Sequence, residues 1–447
     1  MKKIYIDTLG CEKNTYDSQV LAAKLTERGC IVVSEPIVAD IYIVNTCGFI
    51  DDAKKESIER IFELAGIKDI GKKLIVTGCL SQRYHKELVK EMPEVDMFFG
   101  VNEYETVADF ITKEDAFFSK EERQNNITAD MVSNIEDPLG YKRRLFSDDA
   151  YSGVLKIAEG CNNMCSFCAI PMIRGSFRSK RMEDCIREAE DMSRAGIKEL
   201  IVIAQDTSQY GIDIYNTFML PELLKKLCRI EGIEWIRLMY VYDNGITDEL
   251  IEVMASEDKI CKYIDIPIQH ISDNVLQSMG RKSSGDSIRE TIRKLRSGVP
   301  DIHIRTTLLV GFPGEKEEDI EELIYFLETY KIDRVGVFAY SDEEGTSAFN
   351  MDGKLDDYTK QSRRNAVMEV QISISEELNK RKIGRIYDVI VDEVLDGNVY
   401  IGRTEYDAPD VDCEVTFWGK REHSQGDIVR VMINNAYEYD IEGEEIL

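Results

Sequence analysis

Positive charge is what this chain has least of. Lys and Arg number 56 against 84 Asp and Glu, a net charge of −28 over 447 residues. Adhesion to a phosphate backbone depends on clustered Lys and Arg, so unaided nucleic-acid binding is disfavoured and basic proteins become plausible partners. Long apolar runs are also missing, which excludes a membrane-spanning helix. The amino terminus, Met1-Lys2-Lys3-Ile4-Tyr5-Ile6-Asp7, turns polar too soon for an export signal, and a cytoplasmic location is expected. In a long chain without such a signal, eleven cysteines point to metals rather than to disulfides.

Three of those cysteines fall within eight residues, Cys161-Asn162-Asn163-Met164-Cys165-Ser166-Phe167-Cys168, after the apolar run Val154 to Ile157. At this CxxxCxxC spacing a tight loop can turn all three sulfurs toward one inorganic core, and thiolates are the soft ligands that iron–sulfur clusters and zinc select. Structural zinc takes four protein ligands and ferredoxin-type clusters take four cysteines, whereas this loop offers three, so one metal position is left open. A zinc loop with a distant fourth ligand, or three packed core thiols, are the rival readings; spacing and flanking sequence favour the cluster.

Taken in order, residues 1–115 alternate between apolar runs and amphipathic stretches. Lys3 to Thr8, Ile31 to Val33, Asp40 to Asn45, Lys73 to Thr77 and Val95 to Phe99 read as strands, with helices between them. This alternation predicts an open parallel sheet. Cys11, Cys47 and Cys79 follow its first, third and fourth strands. In the order 2-1-3-4-5 those strands are neighbours and the three sulfurs can converge. Residues 116–146 read as a connector. Over 147–380 six further βα units begin near Gly153, Glu199, Trp235, Tyr263, His303 and Val335, which predicts a partial (β/α)6 barrel of the TIM type with its chemistry at the carboxyl ends of the strands. Residues 381–447 alternate apolar with polar between Gly and Asp-Gly breaks and predict a small antiparallel β-barrel. That tail holds seven Lys and Arg against sixteen Asp and Glu, so direct nucleic-acid binding by it is not expected.

The segment EGCNNMCSFCAIPMIRG resembles the radical S-adenosylmethionine (SAM) superfamily. The resemblance implies a [4Fe-4S] cluster on Cys161, Cys165 and Cys168, with SAM on its open iron and an external electron donor to start SAM cleavage. It also implies that Gln205 and Asp206, after the second barrel strand, contact the SAM amino group. Gly311 and Pro313 in GFPGE would lie beside the adenine and methionyl parts, and Arg305 is a candidate partner for the carboxylate. Arg174 and Arg178, after the cysteine loop, read as holding a substrate carboxylate, in preference to merely a solvated turn, and His270 as a hydrogen-bonded structural residue.

LGCEKN, NTCGFI and TGCLSQR look like the amino-terminal domain of the methylthiotransferases. That family implies a second [4Fe-4S] cluster, on Cys11, Cys47 and Cys79, that presents sulfur for insertion. The tail resembles a TRAM domain, and its segment Gly402 to Asp412, with DAPDVD, resembles the RimO branch. That branch transfers a methylthio group to the β-carbon of an aspartate in ribosomal small-subunit protein twelve, a very basic partner. Two alternatives are carried forward: a tRNA adenosine methylthiotransferase of the MiaB kind, and a non-catalytic metal-binding electron-transfer protein.

Overall fold

The computed structural model describes residues 1–113 and 139–446. Of the expected connector, 116–138 lies outside the described residues. The chain divides into two compact units. One comprises Met1–Ser147, Lys156–Asn163 and Cys168–Glu188; the other comprises Asp148–Leu155, Met164–Phe167 and Ala189–Leu447. No helix among the described residues is long and apolar enough to cross a membrane.

The first unit is built on five parallel strands, β1 (Lys3–Thr8), β2 (Ile31–Val33), β3 (Ile41–Thr46), β4 (Lys73–Gly78) and β5 (Met97–Phe98), in the order β2-β1-β3-β4-β5. This is the order expected from the alternation. Strand β3 is buried at every position, as a central strand covered on both faces should be. Helices α1 (Glu12–Glu27), α2 (Asp51–Gly66) and α3 (Cys79–Glu91) connect the strands. Thr8 pairs with Asn45, Asn45 with Thr77, and Thr46 with Gly78. That register brings the three cysteine-bearing turns to one edge of the sheet.

In the second unit β6 (Ser152–Lys156, whose last residue belongs to the first unit), β9 (Glu199–Ile203), β10 (Trp235–Leu238), β11 (Ile260–Asp265), β12 (His303–Val310) and β13 (Arg334–Ala339) form one sheet in sequence order. The short strands β7 (Ala158–Glu159) and β8 (Arg178–Ser179) pair separately in the first unit. The six-strand open barrel is the expected one.

The tail closes into a barrel of β14 (Ile386–Val394), β15 (Val399–Thr404), β16 (Val415–Trp418), β17 (Ile428–Ala436) and β18 (Ile441–Glu445), in the order β14-β15-β16-β18-β17. It has one strand more than the four that apolar–polar alternation marks at Tyr387 to Val394, Asn398 to Thr404, Glu414 to Phe417 and Asp427 to Ile433, and β16 pairs parallel to β18 while the other four seams are antiparallel. A closed ring of five strands cannot alternate direction all the way round, so one parallel seam is obligatory. The residues of β18, Ile441-Glu442-Gly443-Glu444-Glu445, carry three carboxylates and little strand character, which is why the sequence concealed it.

The segment between β15 and β16 docks on the amino-terminal half of the open barrel. Glu199, the first residue of β9, lies fully buried between Arg403 (3.0 Å) and Arg237 of β10 (2.8 Å). Arg334, the first residue of β13, meets Asp407 at 2.7 Å, and the Tyr263 hydroxyl donates to Asp412 at 2.8 Å. Ala408 packs among Val154, Ile201, Trp235 and Tyr263.

Burial alone would raise the pKa of Glu199, but Arg403 and Arg237 override it and hold the carboxyl at about 2. Burial pushes His270 down to about 4. Both groups bind more protons unfolded than folded, so their stabilisation is complete above about pH 6.5 and is lost as pH falls, first through His270 and then, below about pH 4.3, through Glu199. Glu199→Gln takes from buried Arg237 its carboxylate partner and leaves Arg403 with Asp392 alone (2.8 Å), and is expected to cost about 3–5 kcal/mol. In a pH series of thermal unfolding it should shrink the drop below about pH 4.3, to which Asp407, held far below the usual carboxylate range by Arg334, still contributes, while keeping the earlier one.

Candidate functional site

The three cysteines of the first unit sit where parallel strands hand over to helices. Cys11 precedes the first turn of α1, Cys47 follows β3, and Cys79 opens α3. Gly10 has φ +92°, and a Cβ there would stand 2.7 Å from the Cys47 Cβ and 3.1 Å from its Sγ, so only glycine lets the Cys11 turn come this close. Burial pushes the Cys47 thiol up to about 11, with the neighbouring Cys79 and Cys11 adding to the rise against a hydrogen bond from the Phe49 N–H. Burial also raises Cys79, against the pull of Arg174.

Among the described residues no three His, Cys, Asp or Glu side chains are gathered as the ligands of a single metal ion. Three thiolates at one sheet edge are the soft donors that an iron–sulfur cluster would take.

Asn14, one turn into α1, binds these turns together. Its Nδ2 donates to the Leu9 carbonyl (2.7 Å) and the Thr46 carbonyl (3.2 Å), and its Oδ1 accepts from Arg174 Nη2 at 2.8 Å. Arg174 itself is 1% exposed and reaches Asp17, Glu159 and the Cys79 Sγ. This corrects the expectation that Arg174 holds a substrate carboxylate: its guanidinium is enclosed and already has two carboxylate partners. The sequence carried one clue, Asn14, Asp17 and Ser18 at helical spacing on the buried side of α1, ahead of the apolar Val20, Leu21 and Leu25.

The CxxxCxxC loop has its ends in the first unit and its middle in the second. In the first, the Cys161 N–H donates to the Gly175 carbonyl at 3.1 Å. Gly160, at φ +78°, permits that approach, since a Cβ there would lie 2.2 Å from the Ser176 carbonyl oxygen. In the second, Arg281 donates from Nη1 to the Cys165 Sγ (3.7 Å) and from Nη2 to the Pro267 carbonyl (2.8 Å), and lies over the Tyr242 ring. Ser166 is tied to the Met279 and Ser278 carbonyls at 2.9 Å each. Sequence reading noted neither arginine as a partner of cysteine sulfur, because both contacts are made in space and no local spacing reports them.

The expected cofactor residues divide. Gln205 and Asp206 lie just past β9, where Asp206 is buried and accepts from the Ser208 hydroxyl at 2.5 Å. The Thr207 N–H donates to the Tyr240 carbonyl, which joins this tip to the next. Gly311 and Pro313 follow β12, and Glu315 folds the GFPGE turn by accepting from the Gly311 N–H (2.8 Å) and from Arg363 (2.7 Å). These four residues thus occupy carboxyl ends of parallel strands in one sheet. Arg305 does not. It is the third residue of β12, and its guanidinium is held by Asp265 (2.9 Å) and Asp412 (3.4 Å), so the docked tail has taken it. His270 accepts from the Ser272 N–H at 3.1 Å, the structural part expected of it. Tyr240 and Gln269, at the tips of β10 and beyond β11, carry positive φ of 59° and 71°, a strain common at functional sites that sequence reading missed.

Residues 3–100 match the uncharacterized protein family UPF0004, residues 155–327 the radical SAM superfamily, and residues 383–446 the TRAM domain. The solved structure of the radical SAM methyltransferase TsrM from Kitasatospora setae with cobalamin and a [4Fe-4S] cluster is similar in fold, with a TM-score of 0.59 at 13% identity over 88% of this chain and 81% of that one. Among curated relatives, the ribosomal protein uS12 methylthiotransferase RimO of Thermoanaerobacter sp. (strain X514) is 46% identical over 445 residues, which is 99% of this chain and 100% of the relative. That of Clostridioides difficile (strain 630) is 45% identical over 99% of each chain. Identity at this level, sustained over nearly the whole length together with both sets of cysteines, means that the chain belongs to the RimO family of radical SAM methylthiotransferases.

Proposed function

We propose that this protein inserts sulfur and a methyl group at the β-carbon of an aspartate in ribosomal protein uS12, using SAM and two [4Fe-4S] clusters fed by an external electron donor. The observation that carries the reading is the full-length identity with RimO proteins, combined with two sets of three cysteines that each leave a cluster position open. Cys161, Cys165 and Cys168 would hold the cluster that cleaves SAM, and Cys11, Cys47 and Cys79 the one that presents sulfur. The bound groups supply the radical and sulfur chemistry that no side chain could perform on an unactivated C–H bond at neutral pH.

The residues of this chain hold and shield. Gln205, Asp206, Gly311 and Pro313 stand at strand tips where SAM would lie. Arg281 and Arg174 place positive charge beside one cysteine sulfur in each set. The tail barrel exposes nine carboxylates against five Lys and Arg among its described residues, a surface suited to a basic protein and ill suited to phosphates. A ribosomal substrate would place the enzyme in the cytoplasm.

Mass spectrometry of small-subunit ribosomal proteins from cells with and without this gene tests the reading. A gain of about 46 Da on one aspartate of uS12, the mass of a methylthio group replacing hydrogen, is expected only when the gene is present. A modified tRNA adenosine with unmodified uS12 would establish the MiaB-like alternative instead.

A further inference from the structure

We propose that Arg174 is a positioning residue that orients Cys79 and raises the electron affinity of the group held by Cys11, Cys47 and Cys79; the proposal rests on that group being an iron–sulfur cluster. Arg174 ends the short helix Ile170–Arg174, which begins two residues after Cys168. Its guanidinium is used on two edges. Nη1 donates to Asp17 Oδ2 at 2.8 Å and lies 3.3–3.4 Å from the two Glu159 oxygens. Nη2 donates to Asn14 Oδ1 at 2.8 Å and to the Cys79 Sγ at 3.4 Å.

Charge balance alone does not require the second edge. Lys156, 2% exposed, already meets Asp17 and Glu159 at 2.7 Å each, so two buried cations face two buried carboxylates and the group is neutral as it stands. The Tyr104 hydroxyl donates to Asp17 at 2.6 Å and fixes that carboxylate from the other side. An N–H of Arg174 is thereby directed at a thiol by a scaffold that would be neutral without that contact. Lysine could not do the same, because its three donors radiate from one nitrogen, whereas the planar fork carries donors on separate edges that reach Asp17 on one and Asn14 and Cys79 on the other.

The helix is fastened beside the same cysteine. Ala169 and Ile173 share an apolar cluster with Cys79 and Val101. The donor therefore cannot drift from the sulfur without breaking packed contacts.

Hydrogen bonds to cluster sulfurs favour the reduced, more negative state and raise the reduction potential. Arg174 should thus make the sulfur-presenting cluster easier to reduce, while Glu159, by drawing on the same guanidinium, moderates the effect.

The test uses the full chain carrying Cys161→Ala, Cys165→Ala and Cys168→Ala, so that only one cluster can form, reconstituted with iron and sulfide. The expected parent binds about four irons per chain. Adding Arg174→Lys should leave the iron content unchanged, shift the potential in a redox titration to more negative values, and remove a deuterium-exchangeable proton coupling from the spectrum of the reduced cluster. Glu159→Gln, which frees the guanidinium from one carboxylate, should shift the potential the opposite way. An unchanged potential and spectrum in Arg174→Lys would overturn the assignment. If that variant does not fold, a Glu159→Gln potential that is unchanged or more negative overturns it and a more positive one supports it. A parent that binds no iron would overturn the cluster reading beneath the proposal, a failure distinct from that of Arg174.

Discussion

Replacing Cys165 with Ala is expected to abolish 5'-deoxyadenosine formation under reducing, anaerobic conditions and to lower the iron content from about eight to about four per chain. On the proposed reading the substitution removes one of three thiolate ligands, and Arg281, which contacts the Cys165 sulfur, is a cation that cannot replace it. The protein should nevertheless fold. Cys165 is only partly buried, and its loop is held by the backbone and hydroxyl bonds of Ser166 rather than by the thiol. Retention of 5'-deoxyadenosine formation in this variant would refute the assignment of the CxxxCxxC loop.

Replacing Cys47 with Ala is expected to separate the two halves of the chemistry. SAM cleavage should continue, because the CxxxCxxC cysteines are intact, while methylthiolated product falls to background. Quantifying 5'-deoxyadenosine and modified uS12 peptide in the same reaction gives both readings. Cys47 is the informative choice because its thiol is half-buried yet its backbone is anchored independently: its N–H donates to the Ser57 hydroxyl, which donates back to the Cys47 carbonyl. Full product yield without Cys47 would exclude a sulfur-presenting role for that edge of the sheet.

Much of this was legible before any coordinates. The alternation of Lys3–Thr8, Ile41–Thr46 and Lys73–Gly78 with amphipathic stretches specified a parallel sheet, and with it the placing of Cys11, Cys47 and Cys79 just past three neighbouring strands. Both signals are local, and periodicity and spacing record local geometry faithfully. The fifth strand of the tail barrel, with its carboxylates, had no such periodicity. Its pairing with β16 and β17 is made by backbone bonds that side-chain pattern does not encode.

The arginines mark the boundary most clearly. Arg174, Arg281, Arg305 and Arg403 are all charged residues in segments that read as turns or strand interiors, and a charge in such a place is read as solvated or as waiting for a ligand. The fold holds each against a partner distant in sequence: Cys79 for Arg174, Cys165 for Arg281, Asp412 for the partly buried Arg305 and Glu199 for Arg403. Residue type and spacing by themselves determined the two cysteine sets, the parallel sheets and the acidic tail, because each follows from short-range chain geometry or from composition. Which cation faces which sulfur, and that the tail segment Arg403 to Asp412 locks the amino-terminal half of the barrel instead of leaving Arg305 for a cofactor, was decided by tertiary packing alone. A buried charge must find its counter-charge wherever the completed fold has placed one.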